Sequence, residues 1–161
     1  MGYYKTAKIC LNGHMITDDL ESSGNNDSFC SECGAKAITH CKYCNANIHG
    51  YYFVPGVLNL AAETTVPAYC HNCGEPYPWT ETFLKTAEEM VDMFNELSTE
   101  QKQQLKETFP DLIVETPQSK LAALRAAKLI NGLTSFGKDI FVKLLQDNVV
   151  DSLFALMHLK S

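Results

Sequence analysis

The sequence is short of positive charge. Thirteen lysines and arginines stand against nineteen aspartates and glutamates, a net charge of −6 over 161 residues. Proteins that grip nucleic acid through phosphates usually show a basic patch or a basic balance, so a general role on DNA or RNA is disfavoured. Long apolar runs are also missing. No stretch approaches the roughly 20 residues that span a bilayer. The first twenty residues carry Lys5, Lys8, Asp18 and Asp19 and hold no apolar core of a leader peptide, which predicts a cytoplasmic protein. Catalytic signatures are absent too. There is no His-Glu-x-x-His, no phosphate loop, no Gly-x-Ser-x-Gly elbow, and no His-x-Glu ahead of a Pro-Cys-x-x-Cys. A non-enzyme is expected on these grounds.

Cysteine is unevenly supplied. All seven cysteines lie between Cys10 and Cys73, and none follows. Seven of the nine glycines and four of the six prolines also precede Trp79. After Thr80 the turn residues thin out and helical patterns take over. The stiff segment Glu75-Pro76-Tyr77-Pro78-Trp79 marks the boundary, since each proline fixes its own φ and extends the residue before it. The expected domains are therefore 1–79 and 80–161.

The first half reads as a metal framework. Three Cys-x-x-Cys pairs occur, at Cys30/Cys33, Cys41/Cys44 and Cys70/Cys73. A fourth pair is Cys10 and His14, spaced Cys-x₃-His. Four two-ligand elements give eight ligands, enough for two tetrahedral zinc sites. Gly13, Gly34, Asn45 and Gly74 stand where tight ligand turns need a left-handed residue. A disulfide framework would need an oxidising compartment and would strand one of seven thiols. A thioredoxin-like redox pair would want one such motif beside a βαβ pattern.

The pairs alternate in type. Phe29-Cys30…Gly34 resembles Tyr69-Cys70…Gly74, and each follows a different pair, which suggests a repeated two-knuckle unit. Sequential pairing follows from that repeat: Cys10, His14, Cys30 and Cys33 on one zinc, and Cys41, Cys44, Cys70 and Cys73 on the other. A cross-brace is the rival, and iron is the rival metal at the all-cysteine site. The intervening loops have room for a β-hairpin each, and segments 6–9 and 48–54 have strand character. His40 is a minor candidate ligand. His49 would break the repeat if it ligated. His71 and His158 read as surface residues.

These residues carry a resemblance. Ile9-Cys10-Leu-Asn-Gly-His14, Phe29 to Gly34, the Cys41/Cys44 pair, and Tyr69-Cys-x-x-Cys-Gly running into Pro76-Tyr77-Pro78-Trp79-Thr80 are similar to a bacterial family with tandem N-terminal zinc ribbons, a helical C-terminal region and no assigned function. The resemblance covers the first 80 residues well and the remainder only in helical character. It implies a bacterial, intracellular protein and supplies no activity.

The second half predicts helices. Thr80 is read as an N-cap, followed by an apolar face through Phe83, Leu84, Ala87, Val91, Phe94 and Leu97. Ser98-Thr-Glu-Gln101 has capping-box form and opens a helix ending near Phe109-Pro110. Thr116-Pro117 opens another, over 117–131, with Asn131-Gly132 as its C-terminal signal. A last helix is expected over 138–159, bent near Asn148. Beyond Gln118 and Ser119, the helix at 117–131 is apolar outside an arc of about 140° held by Lys120, Arg125, Lys128 and Asn131, and residues 118–146 are net positive within an acidic chain. The fold class expected is α+β: two small zinc-ribbon units, then an α-helical domain. The function expected is protein–protein recognition or assembly, with an unknown protein partner and a homodimer through residues 118–159. The alternative is a nucleic-acid-binding zinc-ribbon protein. An uncharacterised enzyme is the third reading, and a membrane partner is not expected.

Overall fold

The computed structural model describes residues 1–57, 64–134 and 136–158. The chain divides into two compact units, Met1–Thr82 and Phe83–Ser161, with small antiparallel sheets in the first and helices through the second. No helix among the described residues is long and apolar enough to cross a membrane.

The first unit holds strands β1 (Tyr3–Thr6), β2 (Lys8–Cys10), β3 (Met15–Thr17), β4 (Ala37–Ile38) and β5 (His49–Phe53), with a helical turn α1 (Leu20–Ser23). The segment expected as one strand, 6–9, is divided. Ala7 is fully buried between β1 and β2 and donates its N–H to the Ile48 carbonyl at 2.9 Å. There the chain leaves the two-stranded sheet β1–β5 and enters the three-stranded sheet β3-β2-β4. The expectation of one hairpin per loop also needs correcting. β3 folds back on β2 around the Cys10–His14 turn, but β5 pairs with β1 at the start of the chain. The β1–β5 pairing therefore ties the second repeat to residues that precede the first. β5 needs a glycine to make its approach. A Cβ on Gly50 would stand 2.0 Å from the Asp18 carbonyl oxygen, the group that accepts the Tyr51 N–H at 2.9 Å.

Little apolar core supports this unit. The buried cluster is Ala7, Ile9, Cys41, Ile48, Cys70 and Tyr77, two of them cysteines.

Helix α2 (Pro78–Asp92) begins in the first unit and continues into the second. Thr80 is not its cap. Pro78 occupies the first helical position, where a missing N–H costs nothing, and the Tyr77 carbonyl accepts the Glu81 N–H. The Thr80 hydroxyl instead donates to the Ala68 carbonyl at 2.8 Å.

The second unit continues with α3 (Thr99–Lys106), α4 (Phe109–Leu112), α5 (Ser119–Ile130), α6 (Gly137–Asn148) and α7 (Asp151–Met157). Ser98 and Gln101 form the expected capping box. Pro110 sits in the first turn of α4, so it continues helical structure where an end was expected. The expected start at Thr116-Pro117 needs correcting: α5 begins two residues later, Gln118 holds the cap position and no side chain caps it, while the Thr116 N–H donates to Ser119 Oγ at 2.9 Å and the Gln118 N–H to Thr116 Oγ1 at 3.3 Å within the turn that precedes the helix. Gly132 is not a left-handed C-cap. The chain leaves α5 through tight turns, Gly132 N–H to Leu129 O and Leu133 N–H to Ile130 O. The expected bend near Asn148 is a full break, with Val149 extended between α6 and α7; Leu159 lies outside the described residues.

One core gathers these helices, from Phe83, Val91 and Phe94 through Leu105, Phe109 and Leu112 to Phe141, Leu145, Leu153 and Met157. Helix α5 enters it with small residues, Ala122, Ala123, Ala126 and Ala127, while its larger Leu121 and Leu124 are exposed. The apolar residues of 118–159 are thus mostly covered within the unit, including Leu153, and the surface left for a partner is smaller than their number suggests.

Candidate metal centres

The three Cys-x-x-Cys turns share one backbone design. In each, the first cysteine donates its N–H to the carbonyl five residues on (Ala35, Ala46, Glu75), and its own carbonyl accepts the N–H four residues on (Gly34, Asn45, Gly74), all at 2.8–2.9 Å. The flanking residues close a β-bridge each time: Phe29 with Lys36, His40 with Asn47, Tyr69 with Pro76. The design forces φ to +70° at Gly34, +60° at Asn45 and +76° at Gly74, a region closed to most L-residues. The Cys10–His14 turn differs. Its left-handed residue, Gly13, precedes the second ligand, and the Gly13 N–H bonds to Cys10 O three residues back.

These turns bring eight side chains into two tetrads. Cys10, His14, Cys30 and Cys33 form one, and Cys41, Cys44, Cys70 and Cys73 the other, each with its ligand atoms all within 4.8 Å of one another. The grouping is the sequential one. Individual separations are 3.8 Å for Cys10 Sγ to Cys33 Sγ, 3.5 Å for Cys30 Sγ to His14 Nδ1, 3.7 Å for Cys41 Sγ to Cys73 Sγ, and 3.6 Å for Cys44 Sγ to Cys70 Sγ. A disulfide would hold two sulfurs at about 2.05 Å; all seven cysteines are free. A tetrahedron with metal–sulfur bonds of about 2.3 Å has edges of about 3.8 Å, and a sulfur-to-nitrogen edge of about 3.5 Å. The residues therefore fit a tetrahedral metal ion at both places.

Electrostatics points the same way. Backbone N–H groups aim at sulfur: His14 at Cys10 (3.3 Å), Tyr43 at Cys41 (3.4 Å) and Asn72 at Cys70 (3.5 Å). The Asn12 amide donates to Cys33 at 3.4 Å. The Ala35 N–H, with Asn12, brings the Cys33 thiol down to about 6. At Cys70 burial pushes upward, but the Cys73 and Asn72 N–H groups outweigh it and bring that thiol also to about 6. Cys73 takes the opposite course. The Glu75 N–H favours its thiolate, yet burial and the sulfurs of Cys44, Cys70 and Cys41 drive it to about 12. Four thiolates at such distances cannot all ionise together unless a cation lies among them.

The other histidines stand outside both tetrads. His40 Nδ1 lies 2.6 Å from Thr39 Oγ1. His49 stacks between Tyr4, at 4.0 Å, and His71, at 3.6 Å. His158 is exposed at the end of α7. Two contributors escaped the motif reading. Asn12 is an unremarkable loop residue until its contact with Cys33 is seen. Tyr77 reads as part of a stiff connector, yet it is buried in one cluster with Cys41 and Cys70; its place between two prolines just beyond a ligand pair was the signal that it is held in one position.

A search of curated proteins and a search of solved structures found no match. A family profile matches residues 3–155, so the likeness extends through the helical half and is not confined to the first 80 residues. The chain belongs to this family, described as an uncharacterised protein conserved in bacteria (DUF2321).

Proposed function

We propose that the chain is a non-enzymatic protein in which two zinc ions organise the first unit as tandem zinc ribbons, and that it serves protein–protein recognition or assembly. The observation that carries this reading is the pair of complete tetrads with edges of tetrahedral length. A catalytic zinc keeps one position open beside three protein ligands; here each ion has four. The tight thiolate geometry, with nitrogen at one centre, suits zinc. Two loaded centres add three negative charges to an already acidic chain, which supports a protein partner over a nucleic acid.

Metal analysis of gently purified protein is expected to give about two zinc ions per chain. One ion or none would overturn the reading. Cys30→Ser and Cys70→Ser are each expected to lose at least one ion and unfold the first unit, because metal binding and folding are coupled there.

For the partner, a second copy of this chain is favoured. A groove between α3–α4 and α5 has Glu107 and Asp111 on one wall and Arg125 and Lys128 on the other, with Leu121 at its edge. A twofold axis along the groove would set each acidic wall against a basic one, as a self-complementary interface requires. Leu121→Asp with Leu124→Asp is expected to convert a dimer to a monomer in sedimentation, with zinc content unchanged. A monomer for the unaltered chain at high concentration would refute the dimer, and nanomolar affinity for DNA or RNA would favour the nucleic-acid alternative.

A further inference from the structure

The segment Tyr77-Pro78-Trp79 approaches both tetrads: Tyr77 packs with two cysteines of one, and Trp79 lies beside Gly13 in the ligand turn of the other. Tyr77 is 1% exposed and packs with Cys41 and Cys70 in the small core of the first unit. Its hydroxyl is fully buried and makes no hydrogen bond. A hydroxyl is rarely left in that condition, because it loses water and gains nothing. The acceptor available in its surroundings is sulfur, and a thiolate held on a divalent cation keeps enough charge to accept a hydrogen bond. The hydroxyl is placed for the loaded centre. Backbone contacts fix it there: the Tyr77 N–H donates to Ala68 O at 3.0 Å, and Tyr69 bridges Pro76 immediately ahead of Cys70.

The Tyr77 ring stacks on Trp79, with centroids 4.8 Å apart and planes at 21°. Trp79 is the single tryptophan of the chain. Its indole N–H donates to Pro67 O at 2.8 Å, which anchors it to the irregular segment ahead of the Cys70 turn. The base of its side chain lies against Gly13 of the Cys10–His14 turn. A Cβ built on Gly13 would lie 3.1 Å from Trp79 Cβ and 3.3 Å from Cγ. Gly13 is also the residue whose φ of +90° lets that turn present His14. The contacts therefore run without a break from Cys70 through Tyr77 and Trp79 to Gly13 and His14.

We infer that Tyr77 is the outer-sphere hydrogen-bond donor of the four-cysteine centre, and that the Tyr77–Trp79 stack couples loading of that centre to loading of the Cys10/His14 centre. The inference rests on the zinc reading above. Filling the four-cysteine centre fixes Tyr77, Tyr77 fixes Trp79, and Trp79 holds the glycine turn in the form that binds metal. The coupling is reciprocal, as any linkage of binding sites must be.

Cobalt(II) titration of the full-length protein tests this, because four-sulfur and three-sulfur–one-nitrogen centres absorb differently and can be followed separately. In the unaltered chain, loading one centre is expected to raise the affinity of the other at least about fivefold, the lower end of ordinary coupling. Tyr77→Phe is expected to weaken the four-cysteine centre about tenfold, as loss of an outer-sphere partner does, while leaving the stack in place. Trp79→Leu is expected to leave both centres able to bind but independent of one another, and Trp79→Phe to restore the coupling through its ring. Unchanged coupling in Trp79→Leu, or unchanged four-cysteine affinity in Tyr77→Phe, would overturn the inference. Should Trp79→Leu fail to fold, independent loading of the two centres in the unaltered chain would overturn it equally well. Failure of both centres to take up cobalt or zinc would count against the zinc reading itself, a result distinct from two centres that bind independently.

Discussion

Single residues in the first unit act by what they permit. The left-handed positions after three ligand turns are Gly34, Asn45 and Gly74. No atom lies near a Cβ placed on Gly34 or Gly74, so substitution there meets conformational cost alone. Gly74→Ala is expected to destabilise the loaded unit by about 1–2 kcal/mol, the usual cost of a left-handed L-residue. Gly50 is a different case. Its φ is unexceptional, but its would-be Cβ meets the Asp18 carbonyl at 2.0 Å, and backbone cannot step aside as a flexible side chain can. Gly50→Ala is expected to cost more, about 3 kcal/mol or a refusal to fold. Thermal unfolding of the zinc-loaded variants checks both, and equal effects would show the two glycines to be serving one purpose. Their difference also marks what can be read without a structure. Gly34 and Gly74 follow a ligand pair, so spacing announces them. Gly50 matters because of Asp18, 32 positions away, and no local pattern reports such an approach.

At the scale of elements, the second unit follows familiar signals where the signal is local. Ser98 accepts the Gln101 N–H at 3.3 Å, and the Gln101 side chain accepts the Ser98 N–H at 2.9 Å. Ser98→Ala removes one half of this exchange and is expected to lower the stability of the helical unit by about 1 kcal/mol, with both metal ions retained. Circular dichroism with parallel metal analysis checks this; zinc loss on Ser98→Ala would contradict it. The eight side chains that gather into the two tetrads were legible for the same local reason, since short paired spacings, Cys-x-x-Cys or Cys-x₃-His, suit a tetrahedral turn. Elements governed by tertiary packing were not. Thr80 has good cap chemistry but spends its hydroxyl on Ala68, a residue 12 positions back. Ala7 looks like the middle of a strand and is instead the crossover between two sheets. In α5 the pattern leaves everything outside the Lys/Arg arc apolar and does not choose between leucine and alanine; the alanine face packs inward, because small residues let helices come close. Leu121 and Leu124 are left outside.

On the scale of the whole chain, the two units rest on different physics. The first has six buried apolar residues in its cluster, two of them cysteines that the tetrads use. Burial alone stabilises so small a core poorly, since small domains bury too little apolar surface to offset their conformational entropy. On the proposed zinc reading its order comes largely from metal, as in other small domains whose binding free energy is their folding free energy. The second unit has a continuous apolar core from Phe83 to Met157, with edge-to-face contacts among Phe94, Phe109 and Phe141, and contains no tetrad ligand. A strong chelator should therefore separate them. It is expected to abolish the near-ultraviolet signal of Trp79, the single tryptophan and part of the first unit, while most helical signal from α3 to α7 remains. The first turn of α2, which belongs to the first unit, is expected to fray, and the rest of the helix to hold through Phe83, Val91 and Phe94. Heating the chelated protein is then expected to show one cooperative transition, that of the helical unit. Returning zinc should restore the tryptophan signal without moving that transition much. Complete loss of helical signal on chelation would mean that the second unit does not stand on its own core, and that the metal centres support the entire chain.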